Sequence, residues 1–178
     1  ATKWGSAVYL ACSLVLFGVS ATYHRFYWAP RWEIMWKRLD HSNIFLLIAG
    51  TYTPITIALL DRSDATVLLS VVWSGALFGI VLNLFWPGAP RWLKTLIYVA
   101  LGWVAAWYLP QLWAGGGPAI VLLILAGGIL YTLGAIVYGM KKPDPSPTWF
   151  GFHEIFHAFT VAAWACHCVA VYLAVLWA

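Results

Sequence analysis

Six apolar stretches, each long enough for a membrane-spanning helix, divide this sequence. They lie near residues 3–24, 41–60, 65–86, 93–110, 118–140 and 153–177. A membrane β-strand would cross in about 10 residues and alternate apolar with polar positions, and these stretches do neither. A helix needs about 20 mainly apolar residues to cross the bilayer core, and it satisfies its own backbone there. The pattern therefore predicts an all-α, polytopic transmembrane helix bundle with six spans, which forms a single transmembrane domain over residues 1–178.

The connections between the stretches are short, and basic residues are distributed unevenly among them. Eight of the ten Lys and Arg residues follow the first, third and fifth stretches, namely Arg25, Arg31, Lys37, Arg38, Arg91, Lys94, Lys141 and Lys142. The opposite side of the membrane would hold Lys3 and Arg62. Because cytoplasmic loops are enriched in Lys and Arg, we expect the first, third and fifth connections in the cytoplasm and both ends of the chain, including the C-terminus, outside.

Composition supports a membrane protein and excludes other classes. Hydrophobic residues make up 63% of the chain and charged residues 9%, against about 45–50% and 25% in soluble domains. The three cysteines are an odd number, which predicts buried thiols rather than a disulfide framework. The net charge of +4 follows from the uneven loops and does not indicate nucleic-acid binding. The expected partner is membrane lipid, and glycine-rich helix faces leave the oligomeric state open.

The first cytoplasmic connection carries tryptophans at a helical spacing. Trp28, Trp32 and Trp36 recur every four residues and so share one helix face. Basic residues flank this stripe. The pattern predicts a short helix that lies in the cytoplasmic interface with its aromatic side toward the lipid. The alternative is a stripe that binds a partner.

The last stretch begins with the H-E-x-x-H motif, residues 153–157. Two histidines four apart share a helix face, which suits two bonds to one zinc ion. In zincins the Glu of this motif, here Glu154, is the base that activates water. The simpler alternative is a hydrogen-bonded pair formed by His153 and His157.

Further zinc ligands are expected from earlier in the chain. His167 follows the motif by ten residues, which is about 15 Å of helix and too far to share the ion. His24 ends the first stretch and Asp40 precedes the second, so both border the same cytoplasmic side as the motif. Three imidazoles and a nearby carboxylate make a catalytic type of zinc site with room for water.

Two further residues, Ser20 and His41, are weaker candidates for a part in this zinc site. Ser20 lies one helical turn before His24, where its hydroxyl would bond either a water or substrate carbonyl or its own backbone. His41 follows Asp40 but points elsewhere on a helix, so we expect it beside the site rather than on the metal.

Four segments together resemble the hemolysin III family, the bacterial branch of the progestin and adipoQ receptor family. They are residues 20–24 (S-A-T-Y-H), 39–44 (L-D-H-S-N-I), 50–54 (G-T-Y-T-P) and 153–157 (H-E-I-F-H). The resemblance covers essentially the whole chain. It implies a seven-helix fold in the bacterial inner membrane, and we expect the family's first helix to precede this sequence.

The resemblance also implies a zinc site near the cytoplasmic face. Its ligands would be His24, His153 and His157, with Asp40 reaching the metal directly or through water and Ser20 beside that water. Receptors of the family tend to carry Gln where this chain has Glu154, so Asp40 and Glu154 compete for the role of base.

Three functions are consistent with these residues. The first is a zinc-dependent hydrolase of a lipid amide, resembling the ceramidase-like activity proposed for relatives, with the acyl chain among the helices. The second is a non-enzymatic protein with structural zinc, either receptor-like, a membrane-homeostasis factor or a cytolytic pore. The third is an intramembrane H-E-x-x-H metalloprotease, which the order of the ligands disfavours because the partners precede the motif.

Overall fold

The structure is a computed structural model that describes residues 2–177. Its elements are α1 (Thr2–Arg25), α2 (Pro30–Leu59), α3 (Arg62–Phe85), α4 (Arg91–Gly102), a 3₁₀ segment (Trp103–Tyr108), α5 (Leu109–Met140) and α6 (Phe152–Trp177). Every regular element in this part of the chain is helical, as the apolar pattern predicted. The chain divides into two compact units, residues 1–89 and 90–178. Residues 1 and 178, the ends of the predicted single domain, lie outside the described residues.

The predicted count of six spans is not matched. Over residues 2–177, five helical stretches are long and apolar enough to cross a membrane. The fourth and fifth predicted spans fall within one of them, Arg91–Met140. The reason is that the three glycines at residues 115–117, just before Pro118, do not form a loop. Within α5 only Gly117 leaves the helical conformation, with φ 72° and ψ −180°. Positive φ is strained for residues with a side chain, so glycine suits this position.

The long stretch nevertheless folds back on itself. Trp103 Nε1 donates a hydrogen bond to Thr132 Oγ1 at 2.9 Å, and the Arg91 guanidinium lies 4.8 Å from the centre of the Tyr138 ring. Partner numbers fall as residue numbers rise, which is the register of an antiparallel helical hairpin. The reversal falls close to Gly117, midway between these partners.

In the first unit α2 is the central helix. Within its apolar 18-residue segment, 61% is buried, whereas the corresponding segments of α1 and α3 are 28% and 22% buried. Gly50 allows the approach of α1, because a Cβ there would lie 2.7 Å from the Cys12 Cβ. Gly79 of α3 gives room to the Phe45 ring in the same way. All three cysteines are free thiols, and Cys12 is buried while Cys166 and Cys168 are half-buried.

The start of α2 differs from the prediction. The expected short helix in the first connection is wrong, because its residues are the first turns of α2, which runs without interruption from Pro30 to Leu59. Pro30 suits the first position of a helix, and residues 31–49 contain no Gly or Pro to interrupt it. The Trp28 ring packs against the Trp36 ring with ring centres 5.0 Å apart. This contact holds the loop before Pro30 against the first turns of α2.

Candidate metal centre

His153 and His157 lie in the first turns of α6 and point toward each other. Their Nε2 atoms are 3.1 Å apart, and their rings are perpendicular with centres 4.6 Å apart. Two nitrogen ligands on a tetrahedral zinc ion, each about 2.0–2.1 Å from the metal, lie about 3.3 Å from each other. The pair therefore has the spacing of a zinc chelate, and 3.1 Å also suits a hydrogen bond between the two imidazoles.

Two carboxylates cap the helix that carries this pair. Glu154 Oε2 accepts a hydrogen bond from the Gly151 N–H at 2.9 Å, and Asp144 Oδ1 accepts one from the Phe152 N–H at 3.0 Å. Negative groups at a helix N-terminus accept hydrogen bonds from its free N–H groups and interact favourably with the positive end of its dipole. Glu154 is exposed and lies about 100° around the helix from His153. Its carboxylate therefore serves the end of the helix, a role that the motif alone did not reveal.

Aromatic rings surround His153. The ring of Tyr138, from α5, lies 6.2 Å from it, and the rings of Phe152 and Phe156 lie at 6.2 Å as well. These rings give His153 a largely aromatic surround.

The first unit holds the second pair of candidate ligands. His24, in the last turn of α1, places its Nε2 3.9 Å from Asp40 Oδ2 of α2. The His24 side chain is 37% exposed and the Asp40 side chain 12%. An imidazole nitrogen and a carboxylate oxygen at this separation are too far apart for a direct hydrogen bond. Their atoms are near enough to share a metal ion or a water molecule.

Ser20 and His41 lie next to this second pair along the chain. Ser20 is partly buried on α1, one turn before His24. His41 Nδ1–H donates to the Lys37 carbonyl at 2.7 Å and lies 4.0 Å from Asp40 Oδ2. This bond to the backbone occupies the His41 nitrogen that faces Asp40.

An open depression of about 400 Å³ adjoins His24. Its lining residues are Ala21, Thr22, His24, Arg25 and Phe26. Thr22 bonds the Gly18 carbonyl through its hydroxyl at 2.7 Å. Among these lining residues, Arg25 carries the positive charge that lies beside the His24 imidazole.

His167 has a packing role that sequence reasoning missed. Its Nε2–H donates to the Ile124 carbonyl of α5 at 3.1 Å, and the ring occupies the space that a side chain at Gly127 would need. A bond between two helices far apart in sequence leaves no local signal, although a glycine facing a membrane histidine is a hint once the pairing of α5 with α6 is known.

These donors fit a zinc ion by their chemistry. Neutral imidazoles and a carboxylate are the ligands that zinc uses in catalytic sites. Within the second unit His153 and His157 have chelate spacing, and within the first unit His24 and Asp40 are adjacent.

The long apolar helices define a helical membrane protein. A family model described as Haemolysin-III related matches residues 1–168. The chain therefore belongs to the haemolysin III family, which confirms the resemblance inferred from its motifs.

Curated relatives agree with this assignment. The chain is 38% identical to the Hemolysin-3 homolog of Bacillus subtilis (strain 168) in an alignment 136 positions long, which covers 75% of the chain and 61% of that protein. It is 33% identical to the Hemolysin-3 of Bacillus cereus in an alignment 184 positions long, which covers 97% of the chain and 80% of that protein. It is 29% identical to the Heptahelical transmembrane protein ADIPOR2 of Oryza sativa subsp. japonica in an alignment 195 positions long, which covers 98% of the chain and 83% of that protein. No solved structure matches the chain.

Proposed function

We propose that His24, His153 and His157 bind one Zn²⁺ ion, with Asp40 on the metal or on a water beside it. The observation that carries this proposal is the pair of Nε2 atoms 3.1 Å apart on α6. Two imidazoles alone do not complete a zinc site. His24 and Asp40 supply the remaining donors, since both border the connection after α1, and that connection and the one before α6 both belong to the basic side of the chain.

We further propose that the protein is a zinc-dependent hydrolase of a lipid amide. A bound zinc ion would polarise the amide carbonyl and make water a better nucleophile near neutral pH. Asp40 accepts the proton of the attacking water, since its carboxylate lies beside His24, and returns it to the amine that leaves when the C–N bond breaks. Ser20 donates a hydrogen bond to the substrate carbonyl. Glu154 stays at the cap of α6 and is not the base.

The membrane arrangement is part of the proposal. A straight helix over Arg91–Met140 would be about 75 Å long at 1.5 Å per residue, more than twice the bilayer core of about 30 Å. We therefore assign two crossings to this hairpin and six to the chain. The basic connections then lie in the cytoplasm of a bacterial cell, the C-terminus lies outside, and the site opens to the inner leaflet of the plasma membrane. A lipid substrate enters from that leaflet with its acyl chain among the helices.

The other candidate functions make different use of the same residues. An intramembrane metalloprotease needs Glu154 as its base, and the bond from Gly151 N–H to that carboxylate argues against it. A receptor-like or cytolytic protein would use zinc as a structural ion and would turn over no lipid.

The first experiment is elemental analysis of gently purified protein. We expect about one zinc per chain in the wild type and none in His157→Ala. His41→Ala is the matched control and keeps its zinc, because that ring bonds the Lys37 carbonyl. A wild type that binds no zinc when the ion is supplied would contradict the proposal.

The second experiment separates an enzyme from a structural zinc protein. Purified wild type is offered long-chain lipid amides in nanodiscs, and released fatty acid is measured. We expect release that is lost in Asp40→Asn and kept in Glu154→Gln. Zinc-loaded wild type without turnover of any such amide would leave the structural role of zinc as the better account.

A further inference from the structure

The carboxylate of Asp40 lies in a position that calls for hydrogen-bond donors. Its side chain is only 12% exposed. Two side-chain nitrogens, His24 Nε2 and His41 Nδ1, lie 3.9 and 4.0 Å from its Oδ2, beyond direct hydrogen bonds. A carboxylate that is shielded from solvent is stable only when donors or a cation satisfy its oxygens.

A buried hydrogen-bond donor that needs an acceptor, the amide of Asn43, lies one helical turn further along α2. Asn43 is 5% exposed, and its Nδ2 group is buried without a hydrogen-bond partner among residues 2–177. Residues three apart are neighbours on a helix surface. The amide of Asn43 and the carboxylate of Asp40 therefore lie one turn apart on the same side of α2.

That side of α2 faces α1. Gly50 packs on Cys12 and Pro54 packs on Gly5, and positions 43, 47, 50 and 54 form one helical stripe. The contacts run antiparallel, so a step toward the C-terminus of α1 moves the partner toward the N-terminus of α2. By this register Asn43 lies opposite the turn of α1 that ends near Ser20, between the Cys12 level and the His24 level.

Ser42 provides an internal comparison. It is 4% exposed, and its Oγ is also buried without a partner in the described part of the chain. It is two residues from Asp40, about 200° around the helix, on the side where Phe45 meets Gly79 of α3 at a neighbouring level. Ser42 thus matches Asn43 in burial and polarity but faces away from Asp40.

We propose that Asn43 is a positioning residue for Asp40. Its Nδ2–H donates to an ordered water that in turn donates to the Asp40 carboxylate, and this bridge holds the carboxylate toward His24. A buried water needs two to four polar partners, and Asn43, Asp40 and the Ser20 hydroxyl across the α1–α2 contact supply them. The inference rests on the proposed zinc site and adds a residue that orients one of its members.

The test is a titration of metal-free protein in detergent with Co²⁺, whose visible absorption reports both affinity and coordination. Removing a group that orients a metal ligand typically weakens metal binding by about 10–100-fold. We expect Asn43→Leu to weaken Co²⁺ binding by about 10–100-fold and to change the absorption. Ser42→Ala is the matched control and should leave both unchanged. In an Asp40→Asn background, Asn43→Leu should have no further effect, because the carboxylate that it orients is gone.

The outcomes separate this inference from the zinc proposal. Wild type that binds Co²⁺ while Asn43→Leu keeps the same affinity overturns the role of Asn43 and leaves the zinc site standing. Equal losses in Asn43→Leu and Ser42→Ala also overturn it, since they would reflect packing alone. Should Asn43→Leu not fold, Asn43→Ala removes the same donor without adding bulk, and unchanged affinity in that variant is decisive against the inference. Wild type that binds neither Co²⁺ nor Zn²⁺ removes both proposals.

Discussion

The two pairs of candidate metal ligands are held in place by different physical means. His153 and His157 are one turn apart on a single helix, and their Nε2 atoms are 3.1 Å apart. His24 and Asp40 are on two helices, 3.9 Å apart, so their separation depends on how α1 packs against α2. The first pair is fixed by the helical repeat, whereas the second is sensitive to any substitution that moves α1.

The largest effect is expected when the helical repeat of the first pair is broken. The double variant Ile155→His/His157→Ile places the histidines two apart, about 200° around α6. We expect zinc affinity to fall by more than about 100-fold, since even the outer partners of a ligand are worth about 10–100-fold. Competition with a chromophoric chelator measures the affinity.

The control for this variant is Phe156→His/His157→Phe. Its histidines are three apart and still share a face, so it should retain clearly more affinity than the two-apart variant. Equal affinity in both would show that the repeat does not set the site.

The second pair is tested by moving α1. Gly50→Ala would place a Cβ 2.8 Å from Cys12 Sγ, and such overpacking costs about 1–3 kcal/mol. We expect lower thermal stability in detergent together with weaker zinc binding, because His24 moves away from Asp40. Gly18→Ala is the control, since nothing lies within 4 Å of a Cβ there. Unchanged zinc affinity in a destabilised Gly50→Ala would contradict the dependence on packing.

A substitution at the contact between α5 and α6 should separate stability from metal binding. Gly127→Ala would drive a methyl group into the His167 ring, again at a cost of about 1–3 kcal/mol. The zinc affinity of the folded protein should change little, because His153 and His157 are on the same helix. Gly128→Ala is the neighbouring control, with Trp103 at an ordinary 3.8 Å. Comparable melting temperatures for the two variants would argue against the His167 contact.

The smallest effect is expected at the cap of α6. Glu154→Gln keeps a side-chain acceptor for the Gly151 N–H and loses the favourable charge at the helix N-terminus, worth less than about 1 kcal/mol. Zinc content should be unchanged. Thermal unfolding and elemental analysis check both, and loss of zinc in this variant would show that the carboxylate does more than cap the helix.

Helix positions followed from the sequence wherever apolar length decided them. α1, α3 and α6 begin and end within three residues of their predicted spans. α2 was predicted too short because its first turns are charged and aromatic, although nothing in residues 31–49 interrupts a helix. The spans near 93–110 and 118–140 were predicted to be separate, whereas in the structure only Gly117 between them has a backbone angle that requires glycine.

Side-chain roles were predictable only where one helix sets them. The 3.6-residue repeat was enough to place His153 beside His157, whereas the nearness of His24 to Asp40 required an argument from topology. The capping role of Glu154 had a local signal, a carboxylate three residues after Gly151. The buried amide of Asn43 and the bond from His167 to Ile124 depend on how helices pack, which no window of sequence contains.

The division into two units has a consequence for the order of assembly. Within each unit, helices contact those next to them along the chain, so the first 89 residues can pack before the rest are made. At about 5–20 residues per second, synthesis of the remaining 89 residues takes about 4–18 s. His24 and Asp40 are therefore in the membrane seconds before the last helix brings His153 and His157. In the proposed site zinc would be the final component to arrive, and a nascent chain halted before Phe152 would have only half of its ligands.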